Sequence, residues 1–150
     1  MDIFVHGLGW YDMGLLLIRI TVGVFFAISG FHKLFVAERH EQLKKTLEAC
    51  GIPYISFCCW FVPGVELFAG LGVLFGFLAP LAALGIAVIM IVALFTEGPR
   101  RIEEFKPING ADYLDDLFYL SETTYLIMAV CIIIMGPGSF SLDRFLLHMF

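Results

Sequence analysis

The chain predicts an all-α integral membrane four-helix bundle, on three observations. Of its 150 residues, 60% are hydrophobic and only 15% charged, with a mean hydropathy of +0.91, well away from the soluble norm of about 25% charged. Four apolar runs, Met13–Phe31, Tyr54–Phe77, Ala79–Thr96 and Phe118–Met135, are long enough or nearly so to cross about 30 Å of hydrocarbon at about 1.5 Å per residue. The hydrophilic residues gather in two segments between runs, so residues 1–150 read as one transmembrane domain with no room for a soluble one.

The lead-in Met1–Asp12 is polar and aromatic, with Trp10 and Tyr11 where an interfacial anchor lies. The first span is expected to stay in the chain rather than be cleaved. No Lys or Arg precedes it, Arg19 interrupts it, and no small-residue cleavage pattern follows before Lys33. From His32 to Pro53 the sequence turns hydrophilic. Glu41 and Lys45 form a helix-supporting pair, and Leu34, Leu43 and Leu47 supply sparse apolar contact. Val36–Ala49 therefore reads as a short surface helix, ended by Gly51, Ile52 and Pro53.

Spans two and three are joined only by Gly76 to Pro80, a turn so short that the two helices must be antiparallel neighbours. Pro63, one turn before Glu66, predicts a kink in span two. The connection Glu97–Leu117 begins basic (Arg100, Arg101, Lys106) and ends acidic (Asp112, Asp115, Asp116), and is too long to be only a turn. Ser121, Glu122, Thr123 and Thr124 make the start of span four polar, which directs that end to protein or water. After Gly136, Pro137 and Gly138, the tail Ser141–Phe150 sets Leu142, Phe145, Leu146, Met149 and Phe150 on one side and Asp143, Arg144 and His148 on the other. That pattern predicts an interfacial amphipathic helix with Ser141 as its N-cap.

Orientation follows from basic residues. Four spans put both termini and the middle turn on one side, with Arg144 alone. The other side holds Lys33, Arg39, Lys44, Lys45, Arg100, Arg101 and Lys106, so both hydrophilic connections are expected in the cytoplasm and both termini outside.

Two ionisable residues lie within otherwise apolar runs: Arg19 in span one and Glu66 in span two. A charge near the bilayer midplane costs about 2.5–3.5 kcal/mol on insertion scales, so each must be paired, hydrated or used. Arg19 shares a helical stripe with Gly23, Ala27 and Gly30, and Glu66 shares one with Gly70, Val73 and Phe77. Gly72 and Gly76 form a second pair of small residues, and such residues let helices approach closely. Centring the two spans on each other brings Arg19 and Glu66 within reach and predicts a buried ion pair. That pair could fix helix register, serve as a proton or ligand site, or give way to separate use of the two charges. Lys33, Glu122 and Asp143 are further polar candidates at the interface or lumen.

Other chemistry finds little footing. The net charge of −5 includes no basic patch, which excludes nucleic acid as a partner. His6, His32, His40 and His148 all lie outside the spans or at their ends, which argues against an intrinsic haem. No Glu-x-x-His pair suggests a bridged di-metal site. Cys50, Cys58, Cys59 and Cys131 form no CxxC and read as small packing residues, which weighs against a thiol oxidoreductase. The 16 Phe, 5 Tyr and 2 Trp fit packing and lipid contact, and no quinone pocket is inferred from them. No catalytic motif is found.

The ordered set Arg19, Gly23, Gly30 and Lys33 in LLLIRITVGVFFAISGFHKLF, Glu66, Gly70, Gly72 and Gly76 in GVELFAGLGVLFGFLAPLAAL, and the ending GPGSFSLD resembles the DoxX family of small four-span membrane proteins. Gly51, Ile52 and Pro53 resemble that family's loop before span two. The resemblance implies a membrane four-helix bundle in a family named for a small subunit associated with respiratory quinol and thiosulfate:quinone oxidoreductase complexes. It also shows departures: Ser139 stands where a basic residue is common, and the Glu97–Leu117 connection is longer than usual. The expected function is an accessory or anchoring subunit of a membrane redox system, with lipid and a redox protein as partners. The alternative is a small proton-coupled carrier using Glu66.

Overall fold

The structure, a computed structural model, describes residues 10–147. The expectations for residues 1–9, His6 among them, and for His148, Met149 and Phe150, fall outside it. Eight helices follow one another among the described residues: α1 (Tyr11–Phe35), α2 (Ala37–Ala49), α3 (Ile55–Phe75), α4 (Ala79–Thr96), α5 (Gly98–Phe105), α6 (Gly110–Tyr119), α7 (Ser121–Met135) and α8 (Leu142–Leu147). No strand occurs among them.

α1, α3 and α4 are each long and apolar enough to cross a membrane, whereas α7 reaches that measure only together with α6, from which it is bent by 66°. α1 outruns the predicted Met13–Phe31 because nothing after Phe31 breaks it. It continues past Lys33 until Val36 turns extended, and α2 leaves from there. α2 buries only Leu47, as a surface helix should. α3 begins after Tyr54 and ends at Gly76, whose φ of 69° favours a residue without a Cβ. Pro63 is buried inside α3, which is a single helix through that position. Pro80 falls in the first turn of α4, where its missing N–H costs nothing.

The fourth span differs from the predicted Phe118–Met135. Leu120 is extended (φ −65°, ψ 129°), so Phe118 and Tyr119 belong to α6, and α7 starts at Ser121. The polar run supplies the reason. Thr123 is buried, and its hydroxyl donates to the Leu117 carbonyl over 2.7 Å, capping the end of α6 rather than continuing it. The connection that looked too long for a turn folds into α5 and α6. Asn109 Oδ1 caps α6 by accepting from the backbone N–H groups of Ala111 (2.8 Å) and Asp112 (3.0 Å). The C-terminal α8 begins as expected, with Ser141 Oγ accepting from the Arg144 backbone N–H at 3.3 Å, and Leu142 and Phe145 are exposed.

α1 packs along α3, α4 packs on both α3 and α7, and α1 meets α7 along a shorter seam. The core between them holds Leu15, Val22, Phe26, Val73, Ile86 and Ile132. Phe25 stacks on Tyr125 across the α1–α7 seam, with ring centroids 4.3 Å apart. Phe68, Phe95 and Ile134 point outward at 74%, 81% and 78% exposure, an apolar coat suited to lipid and not to water.

Candidate functional site: two buried charges and their partners

Small residues set the register of α1 against α3. A Cβ added to Gly23 would stand 2.7 Å from the Leu74 backbone, one on Gly30 would stand 2.5 Å from the Leu67 nitrogen, and one on Gly70 would strike the Ala27 backbone. Residues 23, 27 and 30 therefore face 74, 70 and 67. In this antiparallel register Arg19 lies level with the turn after α3, about twelve residues or 18 Å along the axis from Glu66.

The predicted Arg19–Glu66 pair is accordingly not formed. Centring the two spans misjudged the register, because α1 runs on to Phe35 and its glycines engage the C-terminal half of α3. Arg19 is 1% exposed and makes four hydrogen bonds, all to backbone carbonyls. Its Nε donates to Val73 (3.0 Å), Nη2 to Leu74 (3.2 Å), and Nη1 to Pro137 (2.6 Å) and Phe140 (2.7 Å). Val73 and Leu74 belong to the last turn of α3, where carbonyls lack intrahelical donors and carry the negative end of the helix dipole. A planar guanidinium with five donors suits such a fan of oxygens, and a lysine would not. Gly76 leaves room for it, since an added Cβ would run into the guanidinium.

The same end is strapped by Asp143. Its carboxylate accepts from the backbone N–H groups of Leu78 (2.9 Å) and Ala79 (3.4 Å) at the start of α4, while its own N–H donates to the Gly76 carbonyl (3.1 Å). Asp12 accepts from the backbone (3.0 Å) and hydroxyl (2.7 Å) of Ser139. Arg144 Nη1 donates to the same hydroxyl at 2.8 Å, so a basic group reaches this spot although position 139 itself is serine. The GPGSFSLD segment thus joins the start of α1, the α3–α4 turn and the buried arginine.

Glu66, 3% exposed, finds its counter-ion in Lys33 instead. The Lys33 ammonium donates to both carboxylate oxygens at 2.8 Å, and Ser29 Oγ donates to Oε2 at 3.3 Å. The sequence held the signal. Lys33 continues the stripe of Arg19, Gly23 and Gly30, fourteen residues after Arg19, or about four turns. Reading the first span as ending at Phe31 placed Lys33 outside it.

Around Lys33 the bundle closes with more charge. Arg101 of α5 donates to Glu122 of α7 at 2.5 Å, the other ion pair among the described residues, and Ser121 Oγ adds a bond of 3.2 Å. Glu97, at the α4–α5 junction, is half-buried. Burial pushes its carboxyl above the ordinary value and the neighbouring Glu122 charge adds to this, opposed by Arg101, Lys33 and Arg100. The polar candidates Lys33 and Glu122 thus lie at one end of the bundle, each in its own ion pair, and Asp143 serves the other.

Of the packing residues, Gly23, Ala27, Gly30 and Gly70 line the α1–α3 contact, while Gly72 faces Ala82 of α4, with 3.0 Å to an added Cβ. Two apolar grooves open between helices. One of about 570 Å³ lies along α3 and α4, and one of about 520 Å³ lies beside α1 and Tyr125. No carboxylate, histidine or cationic side chain lines either. All four cysteines are free thiols, with Cys59 buried and the others partly so. His40 is tied to the Lys33 carbonyl at 3.0 Å and lies against Trp60.

A helical bundle with a lipid-facing apolar coat and its charges turned inward is an integral membrane protein. The DoxX family model matches residues 14–98, from the start of α1 to the start of α5, and the chain belongs to that family. It is 29% identical over 136 residues to inner membrane protein YqjF of Escherichia coli (strain K12), covering 90% of this chain and 93% of that one. No solved structure matches it.

Proposed function

We propose that this protein is an accessory or anchoring subunit of a redox system in the bacterial inner membrane, with both termini outside and α2, α5 and α6 on the cytoplasmic side. The observation that carries this reading is that both intramembrane charges are consumed by the fold. Arg19 is spent on four carbonyls that join α3 to the C-terminal segment, and Glu66 on Lys33 and Ser29. Residues so engaged build a rigid scaffold rather than a reactive centre. The inner-membrane location is supported by the likeness to YqjF, and the redox setting by the complexes for which the family is named. Orientation is supported by the excess of Lys and Arg at the Lys33 end of the bundle.

An anchoring subunit presents a docking surface, and the exposed charges of α2 and α5 (Lys44, Lys45, Arg100) are suited to the rim of one. The test is recovery of a tagged chain from native membranes in mild detergent, with quantitative mass spectrometry of what accompanies it. A partner in fixed stoichiometry, lost on charge reversal of Lys44 and Lys45, is the expected result. Recovery of the chain alone under every solubilisation condition would refute the reading. The carrier alternative parts from it at Glu66→Gln, which should abolish proton-linked transport if Glu66 couples protons and leave partner recovery per folded molecule unchanged if it does not.

A further inference from the structure

α6 is inverted relative to a helix on a water-facing surface. Leu114 is 56% exposed and Phe118 61% exposed, whereas Asp112 and Asp116, on the opposite face, are partly buried, Asp112 accepting from the Ile108 N–H at 3.1 Å, and Asp115, between the two faces, is exposed. No residue of α6 is fully buried, and Ile108 just before it is 92% exposed. Left in water, such a strip forfeits roughly 25 cal/mol for each Å² of apolar surface and promotes association.

The position of the helix says what covers it. α6 hands over to α7 through Leu120 alone, at a bend of 66°, so with α7 standing across the membrane α6 turns toward the bilayer plane. α7 has 15 residues, a rise of about 22 Å against a hydrocarbon thickness of about 30 Å. The missing depth brings the last turn of α6, with Phe118, to the hydrocarbon boundary. Between Gly98 and Tyr119, three basic residues are outnumbered by five acidic ones, so headgroup charge does not draw the segment down and apolar contact must.

We propose that α6 is an interfacial helix seated on the lipid leaflet, with Leu114 and Phe118 at the acyl-chain boundary and the acidic face turned back toward the protein and water. Its occupant is phospholipid, engaged without regard to headgroup charge. The inference does not depend on the accessory role, since a chain recovered without partners would leave it intact. If it holds, a protein partner meets α2, α5 and the acidic edge of α6, not its apolar face.

Nitroxide labels at L114C, F118C and D115C, in a chain whose native cysteines are replaced by alanine, test this in phosphatidylcholine nanodiscs holding one copy each. Labels at Leu114 and Phe118 should collide with oxygen several-fold more than with a water-soluble nickel chelate, and the label at Asp115 should show the reverse. Adding phosphatidylglycerol should change neither. Preferential access of the nickel chelate at Leu114 and Phe118 would place that face in water, and protection from both reagents would place it against protein; either overturns the proposal. If removing the cysteines prevents folding, F118W in the otherwise unaltered chain gives a second reading. Brominated acyl chains should quench its emission beyond the quenching of Trp10 and Trp60, and no added quenching would overturn the proposal.

Discussion

The Lys33 ammonium stands 2.8 Å from both carboxylate oxygens of Glu66, holding α1 to α3 at a point where the carboxylate is 3% exposed. Removing one member of a buried pair strands the other, which costs about 3–5 kcal/mol. Because the Lys33 side chain is 29% exposed, Lys33→Met should fall at the low end, near 3 kcal/mol. The double variant Lys33→Met with Glu66→Gln should recover most of the loss, since no buried charge remains. Thermal unfolding in detergent, followed by size-exclusion fluorescence, compares four chains: the unaltered protein, Lys33→Met, Glu66→Gln and the double variant. Strictly additive losses would mean the residues do not act as a pair.

Arg19 calls for a different test, because its partners cannot be mutated away. Arg19→Lys keeps the charge but loses the fork that reaches four carbonyls in two segments. Both Arg19→Lys and Arg19→Met should destabilise by about 2 kcal/mol or more, each leaving carbonyls unpaired. The segment from Pro137 to Phe140 should become open to proteolysis before the rest of the bundle melts. Cleavage that tracks global unfolding alone would contradict the arginine's role as the clasp of that segment.

Glycine substitutions separate register from propensity. Gly70→Ala drives a methyl group into the Ala27 backbone, and an overpacked helix contact costs about 1–3 kcal/mol. Gly76→Ala should be at least as costly, since it meets the guanidinium and holds a φ of 69°. Gly14→Ala, with nothing within 4 Å of the added carbon, should be neutral or stabilising by up to about 1 kcal/mol. Melting temperatures should rise from Gly76→Ala through Gly70→Ala to Gly14→Ala, and equal effects would show that close approach does not hold the helices.

Glu97 gives a pH dependence with a definite sign. Its carboxyl is raised above the ordinary glutamate value, chiefly by burial. Between that value and its folded pKa, the native state holds more protons than the unfolded state. The benefit is present in full below the unfolded value and is lost as pH rises through the folded one. Stability should therefore fall with rising pH across that window, and Glu97→Gln should flatten the slope. An unchanged slope in the variant would assign the dependence to other groups.

The apolar runs made the bundle legible: α4 matches Ala79–Thr96, and the hairpin of α3 and α4 follows from the brevity of its turn. The stripe of Gly23, Ala27 and Gly30 lies where α1 and α3 approach closely. What it approaches was not legible, because small residues permit many axial offsets and only the packed helices select one. That choice separates Arg19 from Glu66 and delivers Lys33 to the carboxylate. The partners of Arg19 were hidden for another reason, since backbone carbonyls belong to every residue and leave no mark in a sequence. The break at Leu120 was obscured because the leucine is itself apolar, and only the extended backbone and the Thr123 cap reveal it.

The clasp at Arg19 ties together parts of the chain made at very different moments. Pro137 and Phe140 follow the arginine by 118 and 121 residues, a delay on the order of ten seconds at about 5–20 residues per second of synthesis. During that interval α1 is already leaving the ribosome, and its guanidinium has at best the α3 carbonyls for company. A chain cut short before Gly136 would keep Arg19 with the Val73 and Leu74 carbonyls alone. Residues translated long after α1 thus complete its hydrogen bonding, and a copy lacking them is chemically distinguishable by the two N–H groups of Arg19 Nη1 left without their carbonyls.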